Sequence, residues 1–288
     1  MAATYEDRYW TSSDGLNLHY RNYPGPEGSD RLPVLCMHGL TRNARDFSAL
    51  AEELATARRV IVPEMRGRGM SDYAPDSDTY SPVTYVADVE KLLAEQGISR
   101  FVVVGTSMGG LMMMLMAARE PGRMAAVVMN DIGPEVDAAG LARISGYVGQ
   151  GRSYPTWVHA ARGLAEAHEA AFPDYDLDQW LEMAKRTMVV SQSGRIVFDY
   201  DMAIAEPFAK PGNAAPSNLW LAFEALTGVP MLLVRGALSD LLSEDTVRQM
   251  SVRNPAMRTI TVPRVGHAPT LDEPEVRAAI AALFDGAA

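Results

Sequence analysis

Ser107 stands in Gly105-Thr106-Ser107-Met108-Gly109, between the apolar run Phe101-Val102-Val103-Val104 and a helix-like run from Leu111 to Arg119. A serine hydroxyl is a weak nucleophile at neutral pH. It needs an adjacent base, and that base needs an orienting acid. The G-x-S-x-G pattern suits such a nucleophile where a strand turns sharply into a helix. The serine backbone is strained there, and side chains two residues away on either side would collide with the turn. The hydroxyl then projects from the carboxyl end of a sheet, with a helix N-terminus behind it that favours negative charge. Such a pentapeptide arises by chance in roughly one chain in ten of this length, so its weight comes from its placement between strand and helix.

For a serine on such an elbow, the acid and then the histidine follow in chain order. His19 and His38 precede Ser107, and His159 and His168 fall in a long stretch between strand-like runs. Only His267 follows the last of those runs, in Val265-Gly266-His267-Ala268-Pro269. Such a loop opens at the carboxyl edge of a parallel sheet, where Ser107 also emerges, so His267 is the expected base. Two acids follow strand-like runs at that edge. Asp240 comes after Met231–Arg235 through Gly236-Ala237-Leu238-Ser239, and Asp131 comes directly after Val127–Asn130. Asp240 is the expected catalytic acid, because the common order places the acid on the strand before the histidine. Asp131 is the alternative, with turn capping at the entry to the next segment as its structural role.

Acyl transfer also requires donors for the developing oxyanion. The expected pair is the backbone N–H of Met108 and that of Leu40, in His38-Gly39-Leu40-Thr41 after Leu35-Cys36-Met37. Gly39 is expected to let the chain turn so that the Leu40 N–H points inward. His38 then reads as a structural residue of that turn, and Arg42 falls near the mouth of the site.

Six short apolar runs must carry these groups: Pro33–Met37, Arg59–Pro63, Phe101–Gly105, Ala125–Asn130, Val229–Arg235 and Arg258–Val262. Helical patterns lie between most of them, at Ala44–Ala57, Thr84–Gln96, Ser107–Glu120 and Glu244–Arg253, and Glu273–Phe284 reads as a last helix. Continuous apolar runs alternating with helices predict a mostly parallel buried sheet flanked by helices, an α/β architecture. Tyr9–Thr11 and Leu16–Tyr23 flank Asp14-Gly15 and predict an antiparallel hairpin at the start. About a hundred residues separate Ala125 from Val229, far more than a βαβ unit needs. Gly140–Gly149, Thr156–His168 and Asp178–Met188 within that gap have helical composition. The expected organisation is a core domain of residues 1–132 and 219–288 with a helical cap inserted at 133–218. Tyr147, Trp157, Trp180 and Met183 are its candidate substrate-binding residues. No Gly/Ser linker isolates it as a separate domain.

The chain has 288 residues, a net charge of −10 and a pI near 5.0. An acidic surface argues against nucleic acid and anionic membranes as partners. Cys36 is the single cysteine and lies in an apolar run, so no internal disulfide can form and a thiolate metal site is not expected. The N-terminus lacks an apolar signal region and no stretch approaches a membrane span, so a cytoplasmic protein without cofactor is expected. Met112, Met113, Met114 and Met116 on the helix behind the elbow read as core packing.

Taken together, His38-Gly39-Leu40, Arg66-Gly67-Arg68-Gly69-Met70-Ser71-Asp72, Gly105 to Gly110, Arg235-Gly236 with Ser239-Asp240, and Gly266-His267-Ala268-Pro269 resemble the α/β-hydrolase superfamily in its serine branch with a helical cap. The matching segments follow family order from about residue 33 to 275. The resemblance implies the α/β-hydrolase fold, places the acid on Asp240, and gives the Arg66–Asp72 segment a structural role. Dehalogenases and epoxide hydrolases of this fold carry Asp at the elbow, which Ser107 disfavours. Carbon–carbon bond hydrolases tend to carry Trp after the catalytic histidine, where this chain has Ala268. The expected activity is hydrolysis of a carboxylic ester on a small or medium apolar substrate through an acyl-enzyme. A carbon–carbon (diketone) hydrolase and a ligand receptor with a vestigial triad are the alternatives.

Overall fold

The computed structural model describes residues 5–210 and 219–287. The chain runs through β1 (Glu6–Thr11), β2 (Asn17–Tyr23), β3 (Val34–Met37), α1 (Ser48–Leu54), β4 (Val60–Pro63), α2 (Pro82–Glu95), β5 (Phe101–Thr106), α3 (Met108–Arg119) and β6 (Met124–Asn130). It continues with α4 (Ala138–Tyr147), β7 (Ser153–Tyr154), α5 (Trp157–His168), α6 (Leu177–Thr187), β8 (Met188–Val190), β9 (Ile196–Phe198) and α7 (Glu206–Ala209). The last elements are α8 (Trp220–Glu224), β10 (Met231–Gly236), α9 (Glu244–Arg253), β11 (Met257–Val262) and α10 (Pro274–Asp285).

Among the described residues, one eight-stranded sheet has the order β1-β2-β4-β3-β5-β6-β10-β11. β1 pairs antiparallel with β2, and β2 with β4; every other pairing in this sheet is parallel. All six apolar runs are strands, and the Asp14-Gly15 segment turns the expected hairpin. β5 shows why these strands read as unbroken apolar runs. Phe101 and Val103 enter the core on one face with α2 and α3, while Val102 and Val104 enter the core on the other with α1 and α10. A strand covered on both faces needs apolar residues at every position. Each valine buried this way contributes about 1.5–3 kcal/mol relative to exposure. Met112, Met113, Met114 and Met116 of α3 are all buried in the first of these cores, as expected.

The segment between β6 and β10 holds α4 to α8, as the helical composition predicts, and also a small sheet, β7-β9-β8, that the sequence reading does not anticipate. α5 and α6 enclose their own apolar cluster, which includes Leu164, Phe172, Trp180 and Met183. Backbone hydrogen bonds tie this segment to the core: Asp201 N–H donates to the Gly67 carbonyl (2.8 Å) and Gly69 N–H to that of Asp199 (3.2 Å). Asn218, the expected end of the insertion, lies outside the described residues.

Candidate active site

Ser107 sits between β5 and α3 with φ 52° and ψ −114°, a left-handed backbone that a non-glycine residue adopts only under constraint. Its N–H donates to the Asn130 carbonyl at 3.0 Å. The flanking glycines are required by close approach. A Cβ on Gly105 would lie 2.6 Å from the Gly109 carbonyl oxygen, and one on Gly109 would lie 2.7 Å from the carbonyl carbon of Met37 in β3. The elbow is thus wedged between its own helix and the neighbouring strand.

His267 lies on the loop after β11. Its Nε2 is 2.8 Å from Ser107 Oγ, and its Nδ1 is 2.8 Å from Asp131 Oδ2. A carboxylate can only accept, so Nδ1 carries the proton and Nε2 offers its lone pair to the serine hydroxyl. Asp131 is fully buried at the end of β6, with φ 54°. Its carboxylate also accepts from the Gly236 N–H (2.8 Å) and from the Ser239 hydroxyl (2.7 Å). Sheet order explains the placement. β6 lies between β5, which leads directly into Ser107, and β10, and Asp131 is the first residue beyond β6.

Asp240, the acid expected from the sequence, is not on His267. Its half-exposed carboxylate forms a two-pronged pair with Arg143 of α4, at 2.5 and 2.8 Å. That guanidinium holds the Asp240 carboxyl below the usual range. The Asp131 alternative is the one in contact. Asn130 adds a brace the sequence reading missed: its Nδ2 donates to Thr106 Oγ1 (3.1 Å) and to the Pro269 carbonyl (2.9 Å), coupling the nucleophile turn to the histidine loop.

The loop after β3 lies against Ser107, since a Cβ on Gly39 would be 3.7 Å from Ser107 Cβ. Gly39 is not in the left-handed region, so the turn expected to need glycine's backbone freedom does not use it. Among the described residues, neither the Leu40 N–H nor the Met108 N–H donates to a protein acceptor. Arg68 holds the other side of the Leu40 peptide. Fully buried, it donates to the Leu40 carbonyl through Nε (2.9 Å) and to Tyr85 Oη through Nη1 (2.8 Å). No pattern in the sequence distinguishes Arg68 from the other arginines of its segment.

His38 is structural, as expected: Nδ1–H donates to the Gly39 carbonyl (2.8 Å) and Nε2 accepts from the Met65 N–H (3.1 Å). Burial pushes its pKa down from 6.5 to about 4. The unfolded chain therefore binds the extra proton first as pH falls. The His38 contribution is intact above pH 6.5 and is lost as pH drops towards about 4. It amounts to up to about 3 kcal/mol. His38→Gln is expected to flatten the acid limb of urea-unfolding stability against pH. An unchanged limb would show that this imidazole does not set it.

A cavity of about 220 Å³ opens above Ser107 and His267, between the carboxyl edge of the sheet and the segment joining β6 to β10. Arg42, Tyr147 and Met183 line it, as expected, but Trp157 and Trp180 do not. The packing of α5 on α6 turns Trp180 inward, edge-on to Phe172 and Tyr175, and Trp157 packs against the same cluster. His168 lines the cavity instead, edge-on to Tyr147 at 5.3 Å. Burial, with the charges of Arg143 and Arg42, lowers its pKa to about 4 and keeps it neutral. Among the described residues no cluster of His, Cys, Asp or Glu is placed to hold a metal ion, and no helix is long and apolar enough to cross a membrane.

A family model described as alpha/beta hydrolase fold matches residues 33–274. A 3-hydroxybutyrate-oligomer hydrolase of Cupriavidus necator is 35% identical over 263 residues, 88% of each chain. A 2-(acetamidomethylene)succinate hydrolase of Mesorhizobium japonicum is 26% identical over 84% of each. The crystal structure of an alpha/beta hydrolase from Novosphingobium aromaticivorans superposes with a TM-score of 0.94 at 58% identity, covering 99% of both chains.

Proposed function

We propose that this chain, which belongs to the alpha/beta hydrolase fold family, hydrolyses carboxylic esters by acyl transfer through Ser107. The observation that carries the reading is the unbroken hydrogen-bond chain from Asp131 through His267 to Ser107. His267 Nε2 takes the hydroxyl proton as Oγ attacks the carbonyl carbon. Asp131 holds the ring and stabilises the imidazolium. The Leu40 and Met108 N–H groups receive the oxyanion, with Arg68 fixing the Leu40 peptide. Collapse breaks the C–O bond, and the alcohol leaves with the proton from His267. Water, deprotonated by the same ring, then releases the acid from the acyl-enzyme. The segment between β6 and β10 acts as a cap that encloses the acyl pocket with Tyr147, His168 and Met183. A relative named for hydrolysing oligomers of 3-hydroxybutyrate favours esters, the bonds through which a hydroxy acid oligomerises, over a carbon–carbon substrate.

A serine-directed fluorophosphonate is expected to add one phosphonyl group, mapped by mass spectrometry to Ser107, with matching loss of esterase activity. Labelling at another serine would move the nucleophile. Turnover of vinylogous diketones with esters left untouched would move the bond.

A further inference from the structure

We propose that Arg42 binds a carboxylate on the substrate, so that the enzyme prefers esters carrying a free acid group to their neutral counterparts. This inference rests on Ser107 being the site of ester hydrolysis, and it adds the charge of the substrate. Arg42 and Ser107 both approach Gly39 and line the same cavity: the point where a Gly39 Cβ would stand is 3.3 Å from Arg42 Cγ and 3.7 Å from Ser107 Cβ. Arg42 Nε donates to Asp46 Oδ2 at 2.7 Å, which fixes the plane of the guanidinium. Among the described residues no acceptor meets its two terminal nitrogens, and the side chain is 27% exposed. That leaves the two-pronged edge a carboxylate fits.

The charge around the cavity points the same way. Arg42, Arg143, Arg152 and Arg186 line it, against the single carboxylate of Asp46. Arg143 is paired with Asp240 and Arg186 with Asp272, both from outside the lining, while Arg152 meets only the Gln150 amide. Those partners, and Asp131 behind His267, offset the arginines from outside the lining, so the positive groups are the ones presented at the cavity wall, on a chain whose net charge is −10. His168 stays neutral in this field, partly because Arg42 and Arg143 oppose its protonation. A charge-assisted pair in a partly desolvated pocket corresponds to roughly a ten- to hundredfold preference.

The test uses the linear dimer of 3-hydroxybutyrate as free acid and as its methyl ester. Titration calorimetry on the Ser107→Ala protein reads binding without turnover. The free acid is expected to bind about ten- to hundredfold tighter than the methyl ester. Arg42→Gln in that background should level the two, and Arg42→Lys should restore part of the difference. Arg264→Gln, which breaks the exposed Arg264–Asp174 pair outside the cavity, should leave the preference in place. Equal binding of the two dimers, or no binding of the acid, overturns the carboxylate proposal. A preference that survives Arg42→Gln overturns the choice of residue. Anion preference in binding, with no ester cleaved by the unsubstituted enzyme, would overturn the hydrolase reading and the ester preference that rests on it, while leaving Arg42 as a carboxylate-binding residue.

Discussion

Asp131→Asn is expected to lower kcat for an ester by about 10⁴-fold, while Asp240→Asn lowers it by less than about tenfold. The difference follows from what each carboxylate touches. Asp131 is buried and accepts from His267 Nδ1, the Gly236 N–H and the Ser239 hydroxyl. An amide there carries no charge to stabilise the imidazolium, and its NH₂ group favours the wrong ring tautomer. Asparagine tolerates the left-handed backbone that residue 131 adopts at φ 54°, so the substitution tests chemistry rather than folding. Asp240→Asn removes a half-exposed pair with Arg143, which contributes at most about 1 kcal/mol to stability. Steady-state kinetics on both variants, with urea midpoints as a folding control, checks the ranking. The reverse order would return the acid to Asp240.

The same comparison shows how far the sequence can be read. Ser107 and His267 were legible because one is pinned by a strand, a turn and a helix, and the other is the only histidine beyond the last strand-like runs. The carboxylate that meets His267 is not, because Asp131 and Asp240 both satisfy the order serine, acid, histidine. The structure separates them through contacts no local pattern encodes. Arg143, about a hundred residues from Asp240 in sequence, captures its carboxylate. Ser239, the residue immediately before Asp240, turns its hydroxyl to Asp131. The segment that looked like an acid-bearing loop therefore supports the other acid.

Legibility in the fold tracks burial and length. Strands such as β5 are covered on both faces, so their apolar runs are continuous and conspicuous. β7, β8 and β9 have two or three residues each, too few to display a period of two. Composition showed that the insertion carries aromatics. Which of them face the cavity depends on how α5 packs on α6, and that packing sent Trp157 and Trp180 elsewhere while presenting His168.

Gly109→Ala is expected to destabilise the protein by about 3 kcal/mol or more and to remove activity from whatever remains folded. The added Cβ would stand 2.7 Å from the carbonyl carbon of Met37 and closer still to its oxygen. Both belong to a central strand, so no flexible side chain can yield; α3 and β3 must separate. β3 leads directly into Gly39 and Leu40, and α3 begins at Met108, so separation also pulls apart the two backbone donors on either side of Ser107. Gly146→Ala is the matched control. It lies in α4, nothing stands within 4 Å of the added methyl, and its φ is not positive. There alanine should raise stability by about 0.5–1 kcal/mol through helix propensity. Urea unfolding of both variants reads the contrast. If Gly109→Ala proved as benign as Gly146→Ala, the wedge of α3 against β3 would not be what holds the elbow.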